Sequence, residues 1–196
     1  MKKTSLTDIQ QVRRMTKKKP KALTAFVALL RGINVGGHHK VPMPELKGLL
    51  EKNGYSHVRT LLNSGNVLFE EEDQKEAQLE KKISLLLENH FGFPIPVLIR
   101  RRSDIAKVIE DNPFAHIPMH KDIRRYVTFI RGPVEVEHAS IEGGDSFQIL
   151  QKKDRMVFSV LDVSKTQSTD LMKALDKTYT KDITTRNWNT LLKLIK

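Results

Sequence analysis

The sequence contains no cysteine, which excludes a disulfide scaffold, a thiol nucleophile and cysteine-ligated zinc, and fits a reducing compartment. No apolar run approaches the roughly 20 residues that span a bilayer. Acidic residues are nearly missing from the N-terminus. Residues 1–21 hold eight basic side chains against Asp8 alone, a net +7 of the chain's +11, so the remaining residues carry only +4. Charge gathered in an extension favours non-specific attraction to polyanions without defining a recognition surface. A P-loop needs GxxxxGK[ST]; Gly32 and Gly37 have the spacing, but His38 and His39 follow in place of the lysine and hydroxyl. No dinucleotide fingerprint occurs.

What is present begins at Ala22. The run ALTAFVALL, preceded by Pro20 and followed by RGINVGGHHKVP, reads as a buried strand that delivers its C-terminal end to a glycine-rich loop. Its basic lead mimics a secretory signal, but Arg31 follows directly and no small-x-small cleavage site is present. The expectation is a cytoplasmic protein with no membrane segment. Gly32, Gly36 and Gly37 permit positive φ and close backbone approach, while Arg31, His38, His39 and Lys40 surround them with positive charge.

In chain order, Pro44, Glu45, Leu46, Leu49 and Leu50 mark a short helix that ends near Gly54. VRTLLN, Ser64-Gly65 and NVLFE read as a hairpin. A helix over 74–91 closed by Gly92 and a strand VLIR complete the order βαββαβ, the ferredoxin-like unit. Ser103-Asp104 opens a further short helix, and Asn112-Pro113-Phe114 breaks it. His116 and His120 resemble a metal pair, but Pro118 opposes the helix that would align them, and no metal or cofactor is expected. From Arg124 the order recurs: strand YVTFI, a crossover through 134–142, hairpin FQILQ and MVFSVL, a helix over 169–177 and a strand over 182–184. The division expected is a basic extension 1–21, a first half 22–111, a linker 112–123 and a second half 124–196 with a terminal helix. The fold class is α+β, with antiparallel sheets.

The last helix is read from TTRNWNTLLKLIK, with Trp188, Leu191, Leu192 and Ile195 on its apolar face and Thr185 or Asn187 as cap. Arg186, placed in its first turn, opposes the helix dipole and calls for an anionic partner, either a core carboxylate or a ligand.

RGINVGG followed by KVPM, RTLLNSGNVLF and TTRNWNT together resemble the DUF1697 family of bacterial proteins of unassigned function. The resemblance runs from about Ala22 to the end. It implies tandem ferredoxin-like halves, with the glycine-rich loop, the Ser64-Gly65-Asn66 turn and Arg186-Asn187-Trp188-Asn189 as family signatures, and no activity. Ser168-Thr169-Asp170-Leu171 stands where relatives often carry Ser-Lys-Leu, and the basic extension lies outside the pattern.

Two functional readings follow. In the first, a phosphate- or carboxylate-bearing small ligand, with or without turnover, rests on Gly32, Gly36 and Gly37. Arg31 and Lys40 supply charge, Asn34, Ser64 and Asn66 supply neutral hydrogen bonds, and Arg186 and Asn187 enter from the second half. No nucleophile and base form a visible pair, so catalytic residues stay unassigned. In the second, the basic extension binds nucleic acid. An RNA-recognition platform would require outward aromatics; Phe26 could supply one, but Ser64 and Asn66 occupy the two positions where such modules place aromatics and leave Phe69 alone, which argues against conventional RNA stacking. A third reading assigns the motifs to the junction of the two halves, with no ligand.

Overall fold

The computed structural model describes residues 22–118, 120–132, 141, 146–179 and 182–196. The 1–21 extension and nearly all of the 134–142 crossover lie outside them. The first sheet is built from β1 (Leu23–Leu30), β2 (Ser56–Leu61), β3 (Asn66–Glu72) and β4 (Val97–Arg101) in the order β2-β3-β1-β4. The second is built from β5 (Ile123–Ile130), β6 (Phe147–Lys153), β7 (Met156–Asp162) and β8 (Ile183–Asn187) in the order β6-β7-β5-β8. Every strand pair within them is antiparallel. The described helices are α1 (Met43–Lys52), α2 (Glu76–Phe91), α3 (Arg102–Asp111), α4 (Ser168–Thr178) and α5 (Trp188–Ile195).

Alternation along the central strands assigns each residue to a face. Phe26, Ala28 and Leu30 pack with Leu46 and Leu50 of α1 and with Leu79, Ile83 and Leu87 of α2. Val27 and Leu29 point the other way, into a core that includes Val127, Phe129 and Phe158 of the second sheet and Ile105, Val108, Leu191 and Leu194 of α3 and α5. The remaining face of the second sheet, with Ile130, Val157, Leu161 and Ile183, is covered by Leu171 and Leu175 of α4. β1 is thus buried on both faces, which explains its unbroken apolar run. Phe114, in the segment read as linker, is buried against Phe158 and Trp188.

The two sheets repeat one design. Phe-Val-Ala-Leu-Leu-Arg-Gly at 26–32 returns as Tyr-Val-Thr-Phe-Ile-Arg-Gly at 126–132. Val27 pairs with Arg100 on β4, and Val127 pairs with Arg186 on β8. α3 and α5 follow β4 and β8 without a loop.

One expectation is corrected, and one alternative already argued against drops out. The last strand extends through Asn187 and the terminal helix begins at Trp188, so Arg186 is a strand residue paired to Val127 rather than a first-turn helix residue. The polar stretch Thr-Thr-Arg-Asn stays extended because its backbone completes the ladder to β5. Phe26 and Phe69, stacked with centroids 5.7 Å apart, are fully buried beneath α1 and α2, so no outward stacking platform exists there.

Candidate functional site

The sequence-selected residues fall into two places, with Asn187 apart from both. Its side chain accepts a hydrogen bond from the Asn189 amide at 2.9 Å and caps α5, an ordinary structural role.

The first place is the seam between the sheets. Arg186 is buried and spends its guanidinium on neutral oxygens of the first half: Nε donates to Asn66 Oδ1 at 2.6 Å, and Nη2 donates to the Leu30 carbonyl at 2.6 Å and the Ser64 carbonyl at 3.1 Å. Nη1 donates to Thr184 Oγ1 at 2.7 Å and the Thr185 carbonyl at 3.0 Å. Burial pulls this guanidinium down to about 10. The expected carboxylate or ligand partner is therefore replaced by carbonyl and amide oxygens, which together satisfy the donor fork. Asn66 is fully buried and also donates through Nδ2 to the Leu61 carbonyl and to Ser64 Oγ, at 2.9 and 3.0 Å. Ser64 is thus a hydrogen-bonded turn residue. Gly65, at φ +74°, accepts from the Leu30 amide at 2.8 Å, and a Cβ at this position would lie 2.7 Å from Leu30 Cβ. Here glycine is required by both dihedral and space.

Arg31 crosses the same seam, donating to the Ile183 carbonyl at 2.6 Å and to Asp176 of α4 at 2.7 Å. Its counterpart Arg131 crosses in the opposite sense, to Glu80 of α2 at 3.0 Å, while Glu80 also accepts from the Ile99 amide at 2.9 Å. Arg100, the counterpart of Arg186, donates to the Ile130 carbonyl at 2.5 Å. Each half's central strand ends on an arginine from the other. Arg100, Arg131 and Glu80 escaped the sequence reading, yet the recurring aromatic-Val-x-x-x-Arg-Gly run pointed to Arg131.

The second place is the loop tip. Gly36 and Gly37, both at positive φ, form the two-residue turn of a miniature hairpin in which Val35 and His38 bridge. Asn34 holds its base, donating to the Val41 and Asn63 carbonyls and accepting from the Val41 amide. His39, also at positive φ, stacks on Phe93 with centroids 4.6 Å apart. Gly32 precedes this tip at φ +72°. Beside it lies an open cavity of about 370 Å³ lined by Asn34, Gly37, His38, Lys40, Asn63 and the Val41–Met43 segment that leads into α1. Lys40 and His38 are exposed there.

The site residues thus separate. Arg31, Ser64, Asn66 and Arg186 meet at the seam; Asn34, Gly37 and Lys40 meet at the tip. Among the described residues no group of three or more His, Asp or Glu is placed to hold a metal ion, and no helix is long and apolar enough to cross a membrane.

The fold and seam define an α+β protein of two four-stranded antiparallel sheets joined by reciprocal arginines. The family described as "Protein of unknown function (DUF1697)" matches residues 23–158, and the chain belongs to it. That match ends ahead of the Arg186 segment. The chain is similar to the solved structure of conserved bacterial protein SP0830 from Streptococcus pneumoniae, at 28% identity and a TM-score of 0.67, covering 88% of this chain and 97% of that one. No curated protein matches.

Proposed function

We propose that the protein is a small-anion binder whose ligand meets the tip of the Gly32–Lys40 loop, with the seam arginines as structural clamps and not ligand contacts. The fold behind it is read as two ferredoxin-like halves in tandem, divided near 112–123, because each sheet has the same strand order and the same trailing helix. The observation that carries the ligand reading is the exposed cavity lined by Lys40, His38 and Asn63, on a backbone with five positive-φ residues in eight that Asn34 holds in place. Loops with glycine-dependent turns and an exposed lysine, held on a rigid scaffold, are frequent binding elements. A phosphate or carboxylate suits this mixture of charge and neutral donors. Binding is the reading put forward, since Ser64 Oγ accepts from Asn66 Nδ2 and no His, Asp or Glu side chain is hydrogen-bonded to it among the described residues.

The test is thermal stabilisation by inorganic phosphate and by small carboxylates, comparing the wild type with the His38→Ala/Lys40→Ala double variant. Stabilisation of the wild type that falls at least tenfold in apparent affinity in the variant supports the reading. Equal stabilisation in both, or none in the wild type, refutes it. Stabilisation only by oligonucleotides, steeply weakened by salt and equal in both proteins, moves the function to the basic residues 1–21.

A further inference from the structure

The internal repeat exposes an unfilled hydrogen-bonding position. Asn66 and Met156 are equivalent: each is buried, opens the third strand of its sheet, and pairs with the penultimate residue of the central strand, Leu29 or Phe129. In the first half the Asn66 side-chain oxygen accepts from Arg186 Nε at 2.6 Å. In the second half the residue facing the equivalent arginine is a thioether, a poor acceptor. Arg100 Nε–H accordingly has no hydrogen-bond partner among the described residues, although Arg100 is 1% exposed. An unpaired buried N–H of this kind is costly.

Arg100 and Met156 together line a cavity of about 470 Å³ between α3 and the β6–β7 turn. Lys107, Lys153 and Arg155 share its wall. Lys153 is bound to Asp111 at 2.6 Å and Arg155 to Glu76 at 2.5 Å, whereas Lys107 stands exposed on the rim. The carboxylates of Asp104 and Asp154 are also at the rim, so the cavity carries both signs and an incoming anion must make a specific contact to be held.

We propose that this cavity binds a small oxyanion, phosphate or carboxylate, one of whose oxygens, on a small shift of the side chains that cover the group, accepts the hydrogen bond from Arg100 Nε as Asn66 Oδ1 accepts from Arg186 Nε in the other half. Lys107, which has no ion pair at contact distance among the described residues, then adds positive charge at the rim. This site is independent of the loop tip, which lies in the first half on β1's outgoing segment.

The Arg100 Nε–H resonance, assigned through bonds to its side chain, is followed while the full chain is titrated with inorganic phosphate and, separately, with malonate. The expected result is a saturable shift with at least one of them. Phosphate binding tighter than malonate identifies a phosphate site, and the reverse identifies a carboxylate site. Met156→Asn supplies the missing acceptor from within: its melting midpoint should rise by several degrees without ligand, and its affinity for the anion should drop at least tenfold. Lys107→Ala, on an exposed position, should weaken binding a few-fold while leaving the fold intact. No shift of the Arg100 signal up to 100 mM of either anion overturns the proposal, as does unchanged affinity in Met156→Asn. Loss of binding in His38→Ala/Lys40→Ala with Met156→Asn unaffected also overturns it, and leaves the loop-tip reading standing.

Discussion

Replacing Arg186 with alanine removes the most heavily used side chain of the seam. Five of its hydrogen bonds lie at 3.1 Å or less, to Asn66, Leu30, Ser64, Thr184 and Thr185, and three of those join it to the first half. Each charged hydrogen bond contributes about 1.5–3 kcal/mol, and each acceptor left buried without a donor costs about 1–3 kcal/mol. These terms overlap, because water enters the space vacated and refills part of the network. The net loss should be about 4 kcal/mol, the upper range for breaking a buried hydrogen-bond network whose neutral acceptors are left unpaired. Against a total stability of about 5–15 kcal/mol this is severe, and for a chain of this size it lowers the melting midpoint by roughly 8–16 °C. Urea denaturation at neutral pH, with the slope compared between proteins, measures it. Arg186→Lys should recover less than half, since an ammonium lacks the fork that reaches the Asn66 and Leu30 oxygens together. A loss below about 1 kcal/mol for Arg186→Ala would refute the assignment of Arg186 as a clamp.

Gly65→Ala should cost about 3 kcal/mol, from a positive φ and contacts of 2.7 and 2.8 Å with Leu30 and Ile33, whereas Gly36→Ala, where nothing lies within 4 Å of the added Cβ, should cost about 1 kcal/mol; equal costs in urea denaturation would contradict the steric account. Glu80 gives a pH signature. Burial holds its carboxyl above the usual range, outweighing the Ile99 amide and the neighbouring Arg131 and Arg100. The folded state therefore keeps the proton over the window between the unfolded and folded pKa values. Glu80's contribution is full below the unfolded pKa and is lost as pH rises through the folded one. The stability of wild type relative to Glu80→Gln, whose amide stands in for the neutral carboxyl, should accordingly fall as pH rises from acid towards neutrality; a relative stability that rises over that range would reverse the sign of the argument.

Local features were legible where periodicity and punctuation agreed. The unbroken apolar β1, the Ser64-Gly65 hairpin and the Gly92 end of α2 follow from burial on two faces and from turn chemistry that acts within a few residues. The strand expected over 182–184 runs on through Asn187, and its end was misjudged because the apolar period of α5 is strong and the residues ahead of it are polar. Their buried face is occupied by Arg186 and Thr184, so no hydrophobic alternation announces a strand. The ligand role drawn for Arg31, Asn66 and Arg186 met the same limit. Arginine beside glycine reads alike whether it awaits an anion or a carbonyl, and the partner of Asn66 lies 120 residues away. The repeat at 26–32 and 126–132 was the available clue: a feature needed at the equivalent place in both halves belongs to the way they are joined.

That criterion also says where function should be sought. The clamp is repeated, with Arg31 answered by Arg131 and Arg100 by Arg186, so it expresses the duplicated architecture. Departures from the repeat need a separate cause, because a position freed from a shared structural constraint keeps a costly feature only if something else rewards it. The loop tip at Gly36 and Gly37, whose glycines have no counterpart after Gly132, is one such departure in the sequence. The Met156 position is another and carries a cost, an unpaired guanidinium N–H, where asparagine at the equivalent place in the first half shows that pairing is sterically available. An oxyanion at Arg100 removes that cost without altering the clamp, which is why the broken symmetry, more than the family motifs, marks the place to look for a ligand.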